Sequence, residues 1–183
     1  MTNPYSMPQS ELTEPVSNET YLPKLFSLSG RIGRVRYLAY GIGAGLLMLP
    51  LAVLLMGVGF LTGAAAGPDA AAGGGLLGVL LLYGLSFAIT LVLARRRLND
   101  MGKTGWLGLL MLVPLVNVIV GLWLLFGPGD AQANEYGPAP APNTTGVLIL
   151  AWVLPVIFVL GIIAAIAIPA YSGYTAKANA EQL

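Results

Sequence analysis

The chain has 183 residues, of which 56% are hydrophobic and only 9% charged, and its formal net charge is +1. Soluble domains carry about 25% charged residues, so the composition excludes an ordinary water-soluble fold; the net charge carries no message about nucleic acid, and the cations are not spread as a phosphate-tracking stripe. Cys and His are both absent, which removes disulfides, thiol nucleophiles, imidazole bases and Cys/His metal sites.

Residues 1–21 contain Pro4, Pro8 and Pro15 and few aliphatics, and read as a disordered tail. They lack a basic stretch followed by an apolar one, so no signal peptide is expected. In residues 22–36, Leu25, Phe26, Leu28, Ile32 and Val35 alternate with Lys24, Arg31, Arg34 and Arg36. That mixture predicts a short interfacial segment, with cations at headgroups and apolar side chains toward acyl chains.

Four apolar runs follow, at 37–61, 76–94, 107–126 and 147–168, and none contains Asp, Glu, Lys or Arg. Each is near the ~20 residues that cross a bilayer as helix. The stretches before, between and after them carry four, zero, four, zero and one Lys or Arg. Lys and Arg collect on the cytoplasmic side, so the expectation is an all-α, polytopic membrane protein with about four spans and both termini cytoplasmic. The 62–75 connector reads as flexible.

Gly41 and Gly45 form a GxxxG face on the first span, and Gly161 and Ala165 a matching small face on the last. Small residues let helices approach closely, so these faces are expected to pack together. The third run contains Pro114 and Asn117. A kinked single span with Asn117 bonded between helices is preferred; the alternative is a re-entrant hairpin with its tip at 114–117. In the 95–106 loop, Asp100 is within reach of Arg96 or Arg97 if the helix continues one turn, as an exposed pair worth only ~0–1 kcal/mol. Gly102 and Gly105 permit a tight turn there, and Trp106 suits the headgroup level.

Three motifs occur in order: Phe26-Ser-Leu-Ser-Gly30-Arg31-Ile-Gly-Arg34, then Arg96-Arg97-Leu-Asn99-Asp100-Met-Gly-Lys-Thr104-Gly105-Trp106, then Gly127-Pro-Gly-Asp130-Ala-Gln-Ala-Asn134-Glu-Tyr136-Gly137-Pro138. This pattern resembles the bacterial DUF805 family of small inner-membrane proteins, over about residues 22–142. Thr104 stands where Ser is usual and Asn99 where His is common. The resemblance implies an inner-membrane location with a cytoplasmic amino terminus, but no biochemical activity. Its motif residues Gly30, Arg31, Arg34, Arg96, Arg97, Asp100, Gly105, Trp106, Asn134, Tyr136 and Gly137 are the candidate interaction residues. Residues 143–183 form a separate carboxyl-terminal segment. Within it, 161–178 resemble the amino-terminal helix of type IV pilins, although Trp152 falls near the place of the pilin glutamate.

No paired carboxylates share a helix face and no Ser has a base nearby in sequence, so no catalytic residue, metal or cofactor is expected. The spans contain no charged group at the midplane, where transporters place them. The expected function is therefore a lipid- or protein-binding accessory or scaffold protein of the bacterial envelope. Its partners would be anionic lipid headgroups and a membrane-protein partner or a second copy, with no nucleic acid. A small-solute transporter or channel subunit and a pilus- or secretion-associated accessory protein are the alternatives.

Overall fold

The computed structural model describes residues 19–180. Residues 1–18, most of the expected tail, lie outside that range. In chain order the elements are β1 (Thr20–Tyr21), α1 (Arg34–Ala66), α2 (Pro68–Asp100), a 3-10 helix (Gly105–Leu112), α3 (Val116–Phe126), β2 (Ala139–Pro140) and α4 (Thr145–Ala180). The protein is mostly helical, as expected.

Three helices, α1, α2 and α4, are long and apolar enough to cross a membrane. Within their most apolar windows only 11%, 11% and 6% of residues are buried. Apolar surface of that extent is incompatible with water and marks a membrane protein.

The chain divides into two compact units. Among the described residues, one comprises those up to Arg34 with Ala94–Pro142; the other comprises Val35–Leu93 and those from Asn143 onward. In the second unit, the 62–75 connector is not a flexible loop. Ala-rich sequence favours helix, and the helices run to Ala66 and from Pro68. The break between them is Gly67 alone, whose φ of 95° is a conformation L side chains rarely adopt. Small residues bring the two helices together: a Cβ at Gly59 would lie 3.4 Å from the Gly75 nitrogen, and one at Gly78 would lie 3.4 Å from the Leu55 Cβ.

The glycine faces expected to pack are not the ones used. A Cβ at Gly41, Gly45 or Gly161 would meet nothing within 4 Å, and Ala165 is exposed. Leu150 of α4 instead approaches Gly43, 3.2 Å from where a Cβ would lie. Glycine spacing marks a possible face, but which face is covered depends on the larger side chains around it. Here Gly41 and Gly45 line an apolar groove of ≈ 520 Å³ with Tyr37, Thr90 and Ile157.

In the first unit, the third apolar run is not a single helix. It is an eight-residue 3-10 helix and an eleven-residue α-helix, separated at Val113–Leu115. Leu115 has φ 67°, a left-handed conformation that is strained for a branched residue. At helical rise α3 is only ~16 Å long. The 3-10 helix lies back along the end of α2, where a Cβ at Gly108 would sit 3.6 Å from the Ala94 Cβ and 3.8 Å from Leu98 Cδ1. The end of α3 then returns to Arg97, as described below. Ile32, Ala94, Leu98 and Leu124 form the fully buried apolar core of this unit. Asn117 is exposed, and its side chain bonds to none of the described residues.

The interfacial segment is only partly as expected. Helix α1 starts at Arg34, and Phe26 and Leu28 are exposed, as a membrane-facing role requires. Arg31 and Arg36 are instead buried, at 0% and 1% exposure. The end of the expected tail is also ordered. Thr20–Tyr21 pairs in parallel with Ala139–Pro140, extended by the Ala141 N–H donating to the Tyr21 carbonyl at 2.9 Å.

Candidate functional site

The site is built around Asp100, the last residue of α2, whose side chain is 5% exposed. Arg97, one turn earlier at i−3, donates from Nη1 to Asp100 Oδ2 at 2.6 Å. Arg31 reaches the other oxygen: its Nε and Nη2 both donate to Oδ1 at 3.3 Å. One carboxylate thus bridges two buried guanidinium groups. Arg96 faces elsewhere; its Nη1 donates to the Leu25 carbonyl at 3.4 Å.

Two buried cations against one anion leave an excess of positive charge, and main-chain oxygens answer it. Arg31 donates to the carbonyls of Asp130 at 2.6 Å, Gln132 at 2.7 Å and Gly137 at 3.0 Å. Arg97 Nε donates to the Leu124 carbonyl at 2.9 Å, and its Nη2 to the Gly127 carbonyl. Leu124 and Gly127 end α3, so Arg97 joins the carboxyl ends of α2 and α3. Both ends carry negative dipole charge that a cation stabilises. The planar five-donor fork of arginine suits this multiple recognition. Arg34, exposed, adds a longer contact to the Phe126 carbonyl at 3.5 Å.

The loops that supply these carbonyls are themselves fixed. The Asp130 N–H donates to the Asp100 carbonyl at 2.7 Å. Asn134 Nδ2 donates to the Asn99 carbonyl at 2.9 Å and to Asp130 Oδ2 at 2.7 Å, while its Oδ1 accepts from the Tyr136 N–H at 3.0 Å. Gly137, at φ 121°, pairs through its backbone with Asn134. Gly129 packs so closely that a Cβ there would overlap the Asp100 carboxylate. On the opposite flank, the Tyr21 hydroxyl accepts from the Arg31 N–H and donates to the Arg31 carbonyl. Gly30, at φ 89°, leaves room for that ring, since a Cβ would come 2.5 Å from the hydroxyl oxygen.

The structure therefore brings together Gly30, Arg31, Arg97, Asp100, Asn134 and Gly137 from all three sequence motifs. Tyr136 contributes its main chain, and the neighbouring Glu135 holds its phenol above the ordinary tyrosine range. Gly105 serves close approach of the Arg95 side chain, while Trp106 is exposed at 78% and takes no part in the cluster. The expectation of an exposed Arg–Asp pair is corrected to a buried triad. Sequence reasoning missed Tyr21, Gly129 and Asp130. Gly129 and Asp130 lie inside the third motif, but Tyr21 carries no local signal. Asn99 Oδ1 is buried without a hydrogen-bond partner among the described residues.

Chemically, the triad is saturated. Both carboxylate oxygens and every nitrogen of Arg31 and Arg97 have partners, so the cluster clamps loops and helix ends together rather than presenting a reactive group. No curated protein and no solved structure matches the chain. A family model described as "Protein of unknown function (DUF805)" matches residues 25–138, well over half of the chain and a span containing both arginines, the carboxylate and the carbonyls that surround them. The chain belongs to the DUF805 family.

Proposed function

We propose that this protein is a three-crossing scaffold of the bacterial inner membrane, with its amino-terminal unit seated at the cytoplasmic surface and bound there to anionic lipid. The observation that carries the lipid reading is the partition of the cations. Arg31, Arg96 and Arg97 are consumed in the interior, whereas Lys24, Arg34, Arg95 and Lys103 are exposed on the same unit as Phe26, Leu28 and Trp106. Exposed cations with exposed aromatic and aliphatic side chains suit a headgroup layer.

Arg31 supports that crossing number. It touches both Asp100 and the 130–137 loop, so the amino-terminal segment, the end of α2 and that loop share one side. The third apolar run then enters and leaves on that side, and only α1, α2 and α4 cross. The positive-inside distribution makes the shared side cytoplasmic and sends α4 outward. The pilin likeness of α4 remains one of sequence and assigns no pilus role. Catalysis gains no support, because the carboxylate best placed for chemistry is held by two arginines.

Nanodiscs of zwitterionic lipid, with and without an anionic phospholipid, test the lipid reading. Anionic lipid should raise the melting temperature, and the gain should shrink with salt and in a Lys24→Gln/Arg34→Gln/Lys103→Gln variant. Equal melting temperatures in the two bilayers would sink it.

A further inference from the structure

We infer that the acidic stretch holding Glu11 and Glu14, which precedes the described residues, docks on exposed cations of the amino-terminal unit and competes there with anionic lipid. The inference rests on the lipid reading above and adds a regulator to the same site. Three of the cations gather at the end of α2 from separate stretches of chain. Arg95 is on the helix itself. Lys24 precedes Leu25, whose carbonyl accepts from Arg96 Nη1 at 3.4 Å. The Lys103 N–H donates to the Leu98 carbonyl at 2.9 Å, and Gly105 packs on the Arg95 side chain. Lys24, Arg95 and Lys103 are all exposed. Among the described residues both ion pairs are made by Asp100, so none of the three has a carboxylate partner there.

The chain's own acids identify the occupant. Asp100 is consumed in the triad, Asp130 bonds to Asn134, and Glu135 bonds to the Tyr136 phenol. Asp69 begins α2, ~39 Å of helix away from Arg95, and Glu181 follows the far end of α4. Glu11, Glu14 and Glu19 are left, within a stretch, residues 1–23, that has no Lys or Arg. Thr20–Tyr21 is tied to β2, and the Tyr21 hydroxyl to Arg31. Even fully extended chain therefore keeps Glu14 within about 22 Å of Thr20 and Glu11 within about 32 Å. A tether that short holds a ligand at roughly millimolar effective concentration, which offsets the weakness of single exposed ion pairs. Anionic headgroups seek the same cations and repel the glutamates, so lipid and the acidic stretch exclude each other.

The native carboxylates and amines permit a direct test. The full chain in nanodiscs of zwitterionic lipid, with and without phosphatidylglycerol, is treated with a carbodiimide that joins carboxylate to amine without a spacer. In the zwitterionic bilayer, mass spectrometry of the digest should find amide links from Glu11 or Glu14 to Lys103, which is distant in sequence. Lys177, exposed on α4, serves as the control and should give none. Phosphatidylglycerol should lower the yield at Lys103 about threefold. A Glu11→Gln/Glu14→Gln variant should reach half its gain in melting temperature at an anionic-lipid fraction about threefold below that of the wild type. No link to Lys103 in the zwitterionic bilayer, equal linking to Lys177, or the same yield in both bilayers would each overturn the inference. Melting temperatures that stay equal in the two bilayers for wild type and variant, with links to Lys103 still formed, would mean that the lipid reading has failed and the docking has not.

Discussion

Arg31 and Asp100 lie 69 positions apart in the chain and meet at 3.3 Å with both side chains buried. The same carboxylate holds Arg97 at 2.6 Å. A shared buried anion of this kind is costly to remove, because each partner is then left charged in a poorly solvated place.

Asp100→Ala should therefore destabilise the protein by about 3–5 kcal/mol, the range for breaking a buried pair. The exposed pair expected from sequence alone would have made it nearly neutral, at ~0–1 kcal/mol. Denaturant or thermal unfolding in detergent distinguishes the two, and a loss below about 1 kcal/mol would show that the triad is solvated.

Gly129→Ala and Gly161→Ala make a matched pair. The first places a methyl against the Asp100 carboxylate, and overpacking of this kind typically costs ~1–3 kcal/mol. The second adds a methyl where nothing lies within 4 Å and replaces a helix glycine, so stability should be unchanged or rise by up to ~1 kcal/mol. Equal effects in the two variants would contradict the placement of the third motif.

Tyr21→Phe removes the hydroxyl that bonds both main-chain groups of Arg31. A loss of roughly 1–3 kcal/mol is expected, since two part-buried backbone groups lose their partner. Hydrogen exchange at the Arg31 amide should quicken in step. An unchanged exchange rate there would place the Tyr21 ring elsewhere.

Single-Cys variants at positions 103, 132 and 177 test the topology. An impermeant thiol reagent added outside intact cells should label Lys177→Cys only. Labelling at Gln132→Cys from outside would restore a full third span.

The long helices were legible because hydrophobicity is a local property, but the equally apolar run 107–126 shows its limit, since it folds as two short helices rather than one long one. The side on which the 127–142 loop lies was not legible. Cation counting finds no Lys or Arg there, yet the loop lies against Arg31 through its backbone carbonyls, and carbonyls are invisible to composition. For the same reason a topological arginine could not be told from a structural one. Arg31 and Arg34 look alike in sequence, but only Arg31 is interior. The motif residues marked the right neighbourhood, while the roles within it depend on contacts 27 to 106 residues apart.

The parallel pairing of Thr20–Tyr21 with Ala139–Pro140 has a consequence for the order of events during synthesis. A nascent chain emerges from its amino end, and everything Arg31 binds in the 130–137 loop emerges about a hundred residues later. Until then its guanidinium has no complete interior site and must remain hydrated or at headgroups. The first two crossings can insert before that point, since their contacts are between neighbours in sequence. The unit that holds Arg31 closes only after the hairpin has been delivered, which makes its assembly a late, long-range step and the stage at which a truncated or stalled chain leaves its arginines unsheltered.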